Sequence, residues 1–427
     1  MDIYLKNIRV VNPVQNLDRQ CNILIREGTI KYIGTDQIET DYETKVIDGT
    51  GLICAPGFFD MHVHYRDPGQ NYKEDLNSGI EAAANGGFTG VLTMPNTVPP
   101  IDNTQVVEYI KSKTANKIVD VYISAGITRG LEGKSLTSMH SLANSGVLMF
   151  TDDGKSVLNS EVMRRAFDYA AQFDYLIAQH CEDHNLTEGF SANEGIFSTK
   201  LGLKGFPSVA EEIILSRDIM LAEYCGNRRY HAHHISTRGS VEIIREAKAK
   251  GLRVSCEVAP HHFALDESFI ETYDANFKIN PPIRTKQDID AIINGLKDGT
   301  IDCIATDHAP HSSFEKDVEF EKAPCGVVGL ETAIGVCLTY LYHSGHLTIS
   351  QLIEKLSVNP RKILGLNPII IREGEKANLT IFSPDDEWIV DKQYFKSKSQ
   401  NTPFDGFKLK GKPKYVINNC QLYASNL

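Results

Sequence analysis

From about residue 54 to residue 306 the chain repeats one pattern eight times: a short apolar run with strand character, in most cases followed by a segment of helical period. The runs are 53–59, 88–94, 119–126, 146–151, 175–180, 230–235, 253–258 and 301–306. The helical segments are 73–85, 103–114, 160–172, 208–225, 239–250 and 286–297. Eight strands alternating with helices predict an α/β fold, a (β/α)8 TIM-like barrel. Residues 1–53 read differently, as short β-rich runs with turns at Glu27-Gly28 and Asp48-Gly49. A similar β tract spans 366–427. The two tracts are predicted to pair into a small discontinuous β-sandwich domain formed by both termini, with the barrel occupying 54–365. The connections 182–207 and 263–284 exceed ordinary loop lengths, and the first reads as a lid or an insertion.

In such a barrel, side chains at the C-terminal strand ends build the active site. The first run ends in Asp60-Met61-His62-Val63-His64-Tyr65-Arg66. Alternate residues of a strand share a face, so His62 and His64 aim at one point and Arg66 falls beside them. Imidazole suits zinc and similar divalent ions. Later runs end in Thr151-Asp152-Asp153-Gly154, in His180, in His231-Ala232-His233-His234 and in Thr306-Asp307-His308-Ala309-Pro310-His311. Asp153-Gly154 also reads as a turn, His180 as a core histidine and Pro95-Asn96-Thr97 as a turn. Taken together, four histidines and at least two carboxylates exceed what one tetrahedral zinc needs. They suffice for two ions that share a carboxylate, hold a hydroxide and polarise a carbonyl.

Charge and cysteine usage narrow the partners. A net charge of −11 argues against binding nucleic acid or an anionic membrane through the overall field. An anionic substrate would need local cations. No apolar run is long enough to span a membrane, and no basic leader precedes an apolar core, so the expected location is cytoplasmic. Nine scattered cysteines without a C-x-x-C pair read as free thiols in a reducing compartment.

Several stretches carry a resemblance to the amidohydrolase superfamily and, within it, to the bacterial class I dihydroorotases, running nearly end to end. They include P-G-F-F-D-M-H-V-H-Y-R-D-P-G (56–69), T-M-P-N-T (93–97), F-T-D-D-G (150–154) and H-C-E-D (180–183). H-I-S-T (234–237), K-I-N-P-P-I-R (278–284), A-T-D-H-A-P-H (305–311) and G-L-E-T (329–332) complete the set. The resemblance implies a zinc-dependent cyclic amidohydrolase with two Zn2+ per subunit. His62 and His64 would bind one metal, His180 and His234 the other, and Asp153 would bridge them, with Asp152 as the competing choice. Asp307 would bind the first metal and act as general base and then acid, working through a hydroxide that bridges the two metals. Arg66, Asn96 and His311 would hold the substrate's exocyclic carboxylate. Asn280 and the backbone at Cys325 and Gly326 would contact the ring, and the loop from Ala309 to Gly329 would fold over it.

The implied reaction is the reversible cyclisation of N-carbamoyl-L-aspartate to L-dihydroorotate in de novo pyrimidine (UMP) synthesis. Two alternatives remain at this level: a hydantoinase or allantoinase, and a non-catalytic partner of aspartate transcarbamoylase. A catalytically silent relative should have lost metal ligands, and here every expected ligand is present. The resemblance leaves open a homodimer and an association with aspartate transcarbamoylase. One departure, Asn378 where relatives often carry Asp, falls in the C-terminal β tract, away from the expected site.

Overall fold

A computed structural model of the chain describes residues 2–427. Eight strands, each parallel to its neighbours, follow one another in chain order around the barrel: Phe58–Val63, Phe88–Thr93, Asp120–Ala125, Val147–Phe150, Leu176–Gln179, Tyr230–Ala232, Val254–Val258 and Cys303–Ile304. The ring closes where Val63 bridges to His308 and the His64 N–H donates to the His308 carbonyl at 2.8 Å. Phe59, Met61, Leu92, Met149 and Leu176 fill the interior, whereas Phe58, Val63 and Tyr65 pack outward on the helices. A register shift between Asp60 and Val63 changes the parity of the first strand. Irregularities of this kind re-aim side chains next to active sites. Here the shift brings His62 in after Met61, together with His64.

The helices begin where side chains can cap them. The predicted helix 73–85 starts later, at Leu76, because Asp75 and Ser78 form a reciprocal capping box. Asn103, Asn159, Thr237 and Thr285 cap the helices Thr104–Thr114, Ser160–Ala171, Arg238–Ala249 and Lys286–Asp298. A further helix, Val209–Tyr224, packs beside them. A short helix, Met139–Asn144, lies outside the predicted segments.

Strand limits differ from expectation at three places. The single run 53–59 is two strands. Ile53–Pro56 pairs in the terminal sheet, and Phe58 begins the barrel. Gly57 lies at the crossing, where a Cβ would come within 1.9 Å of Asn378 Oδ1 and 2.1 Å of Thr89 Oγ1. The sixth strand stops at Ala232, because His234 adopts φ +26°. The eighth stops at Ile304, because the Thr306 N–H leaves the ladder for the Asp60 carboxylate at 3.1 Å.

The terminal sheet joins both ends of the chain in a β-sandwich domain. From one edge to the other its strands run Gln421–Ala424, Lys408–Asn418, Leu379–Ile389, Ile53–Pro56, Ile3–Asn12, Leu17–Arg26 and Thr29–Gly34, with Lys45–Asp48 also paired to Ile3–Asn12. Leu5, Ile8, Val10, Ile23, Ile25, Ile381 and Ile417 form its core. The 182–207 connection is a packed insertion with two short helices and a parallel ladder of Ala192–Asn193 on Gly205–Phe206. Arg284, itself buried, donates to Asn193 Oδ1 and the Phe206 carbonyl and so ties the insertion to the barrel. No helix among the described residues is long and apolar enough to cross a membrane.

Candidate active site

Six strand ends converge on one cavity of about 230 Å³. His64, Arg66 and Asn96 line one side of it, and Asp153, His180 and His234 another. Asn280, Asp307, His311, Cys325 and Gly326 complete the wall. His62 lies directly beneath, fully buried. All twelve residues singled out from the sequence therefore meet in one place. Larger hollows of about 680 and 710 Å³ sit elsewhere, against the terminal sheet and against the helix Val209–Tyr224, with none of these residues in their walls.

The Asp153 carboxylate stands between two histidine pairs. Its Oδ2 is 3.4 Å from both His62 Nε2 and His64 Nε2. Its Oδ1 is 3.6 Å from His234 Nε2, which in turn is 3.0 Å from His180 Nδ1. Asp307 Oδ1 joins the first pair at 3.0 Å from His64 Nε2 and 3.6 Å from His62 Nε2. Asp152 turns away, accepting from the N–H and hydroxyl of Thr128. His234 and Asp307 both hold positive φ, +26° and +49°, a region that few non-glycine residues occupy and that clusters at functional sites.

Two sets of ligand atoms, His62/His64/Asp153 and Asp153/His180/His234, each lie within 4.8 Å of one another. His62 Nε2 and Asp153 Oδ1 are buried without a hydrogen-bond partner. An unsatisfied buried polar atom costs about 1–3 kcal/mol. Divalent cations would satisfy these atoms, so the donor set fits a pair of ions that share Asp153.

The local electrostatics agree with that fit. Burial alone would raise the Asp153 carboxyl, but His62, His234 and His64 outweigh it and hold the group well below the usual carboxylate range. Asp307 is held down in the same way, against burial, by its hydrogen bond with His64 and by His62 and His234.

Around these residues lies a layer of acceptors, of which sequence reasoning singled out Asn96 but missed Glu257 and Glu182. Glu257, buried on the seventh strand, faces His62 Nδ1 at 2.5 Å, His233 Nδ1 at 3.0 Å and His231 Nε2 at 3.2 Å. The two extra histidines of the sixth strand therefore serve Glu257 and not the cavity. Glu182 accepts from His180 Nε2 at 2.8 Å and from Asn280 Nδ2 at 2.9 Å. Asn96 Oδ1 accepts from His64 Nδ1 at 2.8 Å. Such partners fix which imidazole nitrogen carries the proton and which faces a metal. The only signal for Glu257 was a lone carboxylate in the strand run Val254–Val258.

Arg66 is the cation of the cavity. Its Nε donates to the Pro310 carbonyl at 3.3 Å and its Nη2 lies 3.5 Å from His311 Nε2. Burial pulls the guanidinium down to about 10, against the pull of Asp307 and Glu315. Burial, with Arg66 and Lys73 nearby, pushes His311 down to about 2, so its ring is neutral. Its Nε2 sits 2.9 Å from the Cys325 carbonyl.

Comparison with known proteins bears on the same residues. The family model described as "Dihydro-orotase-like" matches residues 51–240, which hold the first five strand ends and His234. A dihydroorotase of Acetivibrio thermocellus is 47% identical over 416 residues, covering 97% of each chain. A dihydroorotase of Syntrophus aciditrophicus is 46% identical over 413 residues, covering 96% of each. The chain belongs to the dihydroorotase family. This dihydroorotase-family chain also shares its fold with solved cyclic-amide hydrolases. An L-hydantoinase from Arthrobacter aurescens superposes with TM-score 0.86 at 24% identity, over 99% of this chain and 96% of that one. A dihydropyrimidinase from Brevibacillus agri gives 0.86 at 22% identity, over 100% and 95%. At those identities the likeness speaks for the architecture only.

Proposed function

We propose that the chain is a dihydroorotase, interconverting N-carbamoyl-L-aspartate and L-dihydroorotate in de novo pyrimidine synthesis. The observation that carries the reading is Arg66. It is a buried guanidinium beside the His/Asp cluster whose close partners are a carbonyl and a neutral imidazole. Asp307 and Glu315 act on it only from a distance, and a buried cation without a direct ion pair is costly. The exocyclic carboxylate of dihydroorotate supplies that partner, whereas a neutral hydantoin ring does not. Arg66 with Asn96 and His311 would hold this carboxylate. Asn280 and the backbone at Cys325–Gly326 would meet the ring, with the Ala309–Gly329 loop as its cover.

His62, His64 and Asp307 would hold one metal ion, His180 and His234 the other, and Asp153 both. The imidazole and carboxylate donors suit zinc. When bound, the ions activate water and polarise the amide carbonyl. The rest falls to the chain's own groups. Arg66 fixes the ring by its carboxylate, so that the scissile amide meets the strand ends in one orientation. In the hydrolytic direction the Asp307 carboxylate takes a proton from the attacking water and returns it to the ring nitrogen as the C–N bond breaks. The same carboxylate runs the two transfers in reverse during cyclisation. The enzyme would work in the cytoplasm. The reading extends to a homodimer and to association with aspartate transcarbamoylase, both read by sedimentation of the chain alone and mixed with that enzyme.

The test is turnover of L-dihydroorotate by zinc-loaded protein, with hydantoin and allantoin in parallel. Activity on dihydroorotate alone, lost on Asp307→Ala, supports the reading. Turnover of the neutral rings without dihydroorotate would overturn it.

A further inference from the structure

Residues 395–404 leave the terminal sheet and cross to the barrel, with residues 395, 397, 399 and 401–404 buried. The crossing is pinned at several points. The Ser397 hydroxyl and the Lys398 N–H donate to Glu74, whose carboxylate also faces His308, the neighbour of Asp307. The Ser399 hydroxyl donates to the Lys73 carbonyl at 2.8 Å.

Asn401 reaches furthest towards the cavity. Its Nδ2 donates to the carbonyls of Ala309 at 3.2 Å and Gly326 at 3.0 Å. Its Oδ1 accepts from the His311 N–H at 3.1 Å, and its own carbonyl accepts from the Val328 N–H at 3.0 Å. One primary amide thus uses two donors and an acceptor on both ends of the loop that carries His311 and Gly326. The loop ends approach so closely that a Cβ at Gly326, where φ is +129°, would lie 2.9 Å from Ala309 Cβ and 3.2 Å from His311 Nε2. Among the described residues no other side chain outside the loop bonds to both of its ends. The His311 ring then stands at its observed distance from Arg66.

We propose that Asn401, contributed by the C-terminal tract, is a positioning residue for the carboxylate pocket: it holds the 309–326 loop so that His311 faces Arg66, and so sets affinity for the substrate's exocyclic carboxylate. This rests on the dihydroorotase reading. Asn401 does not touch the reacting atoms; it acts through His311 and the Gly326 backbone.

The experiment is steady-state kinetics in both directions on zinc-loaded, full-length wild type, N401A and N401D, with metal content measured for each. N401D keeps the volume and an acceptor for the His311 N–H, but loses both donors and sets a carboxylate against two carbonyls. The expected result is a KM raised about tenfold or more in both variants, kcat changed by less than about threefold, and metal retained. N401D should be no better than N401A. Wild-type KM in either variant, or a fall in kcat and Tm at unchanged KM, would overturn the proposal, since Asn401 would then only fill space. Wild-type protein that fails to turn over dihydroorotate would instead sink the functional reading itself. Should neither variant fold, amide exchange in the wild type decides. Comparable protection at His311 and Val328, deepened by N-carbamoyl-L-aspartate, supports the clamp. Fast exchange at His311 overturns it.

Discussion

His62 Nδ1 lies 2.5 Å from Glu257 Oε1, so the first and seventh barrel strands are joined by an imidazole–carboxylate pair beneath the cavity. Burial alone would raise the Glu257 carboxyl, but His62 and His233 outweigh it and hold the group well below the usual carboxylate range. An ionised Glu257 accepts a hydrogen bond from His62 Nδ1–H and so leaves Nε2, on the side of Asp153 and Asp307, as the nitrogen free to meet a metal ion. Replacing it by glutamine keeps the shape and removes the charge. E257Q should therefore weaken metal binding about 10–100-fold, by the usual effect of losing such a partner. Chelator competition with the purified protein reads this directly. Unchanged metal affinity would mean that Glu257 only fills the barrel.

Arg66 makes a different prediction, about substrate and not metal. A lysine at this position keeps the charge but loses the planar fork that grips a carboxylate. R66K should raise KM for dihydroorotate by about 10–100-fold, a loss of about 1.4–3 kcal/mol, with a smaller change in kcat and no change in bound metal. Equal losses in kcat and in metal content would assign Arg66 to the scaffold.

Asp307 is proposed both to hold an ion and to carry the proton. D307N retains an oxygen and loses the basic site. At saturating substrate and zinc, its kcat should fall about 10²–10⁴-fold, the range of a lost general base. The KM should stay within about threefold, because Arg66 and its neighbours still hold the substrate. A D307N protein with near-wild-type kcat would move the proton transfer elsewhere.

Stability should depend on pH through Glu331, which accepts from Asn85 Nδ2 and from the backbone of Lys396 and Ser397 beneath the C-terminal crossing. Burial pushes its carboxyl from 4.5 up to about 7, against those hydrogen bonds. The folded protein thus keeps a proton that the unfolded chain releases across this window. The contribution is fully present below the unfolded value and is lost as pH rises through the folded one. Its full size is about 3 kcal/mol. The difference in Tm between wild type and E331Q, followed from pH 4 to 8, isolates it from the metal ligands. Wild type should lose ground to E331Q as pH rises, and a flat difference would refute the assignment.

Much of this molecule was legible in the sequence because strand ends and ligands coincide in a barrel. The pairs His62/His64 and Asp307/His311 stand next to apolar runs, and the repeated strand–helix period places those runs side by side. What escaped has a common physical cause. Glu257 serves His62 only because the seventh strand lies near the first in the closed ring, a proximity that no local pattern records. Asn401 acts on His311 across 90 residues. The run 53–59 hid a change of sheet, since apolar periodicity does not say which neighbour a strand takes. Gly57 marks that crossing, but only the close approach of Asn378 and Thr89 explains why it is glycine.

The seam of the barrel runs along the wall of the cavity. Val63 bridges His308 and the His64 N–H is bound to the His308 carbonyl, so ring closure and ligand convergence are one event. During synthesis, a chain grown only to residue 302 already carries His62, His64, Asp153, His180 and His234, but not the strand that brings Asp307 to them. The Asp307 carboxylate therefore joins the other five side chains only once the eighth strand has emerged and docked on the first.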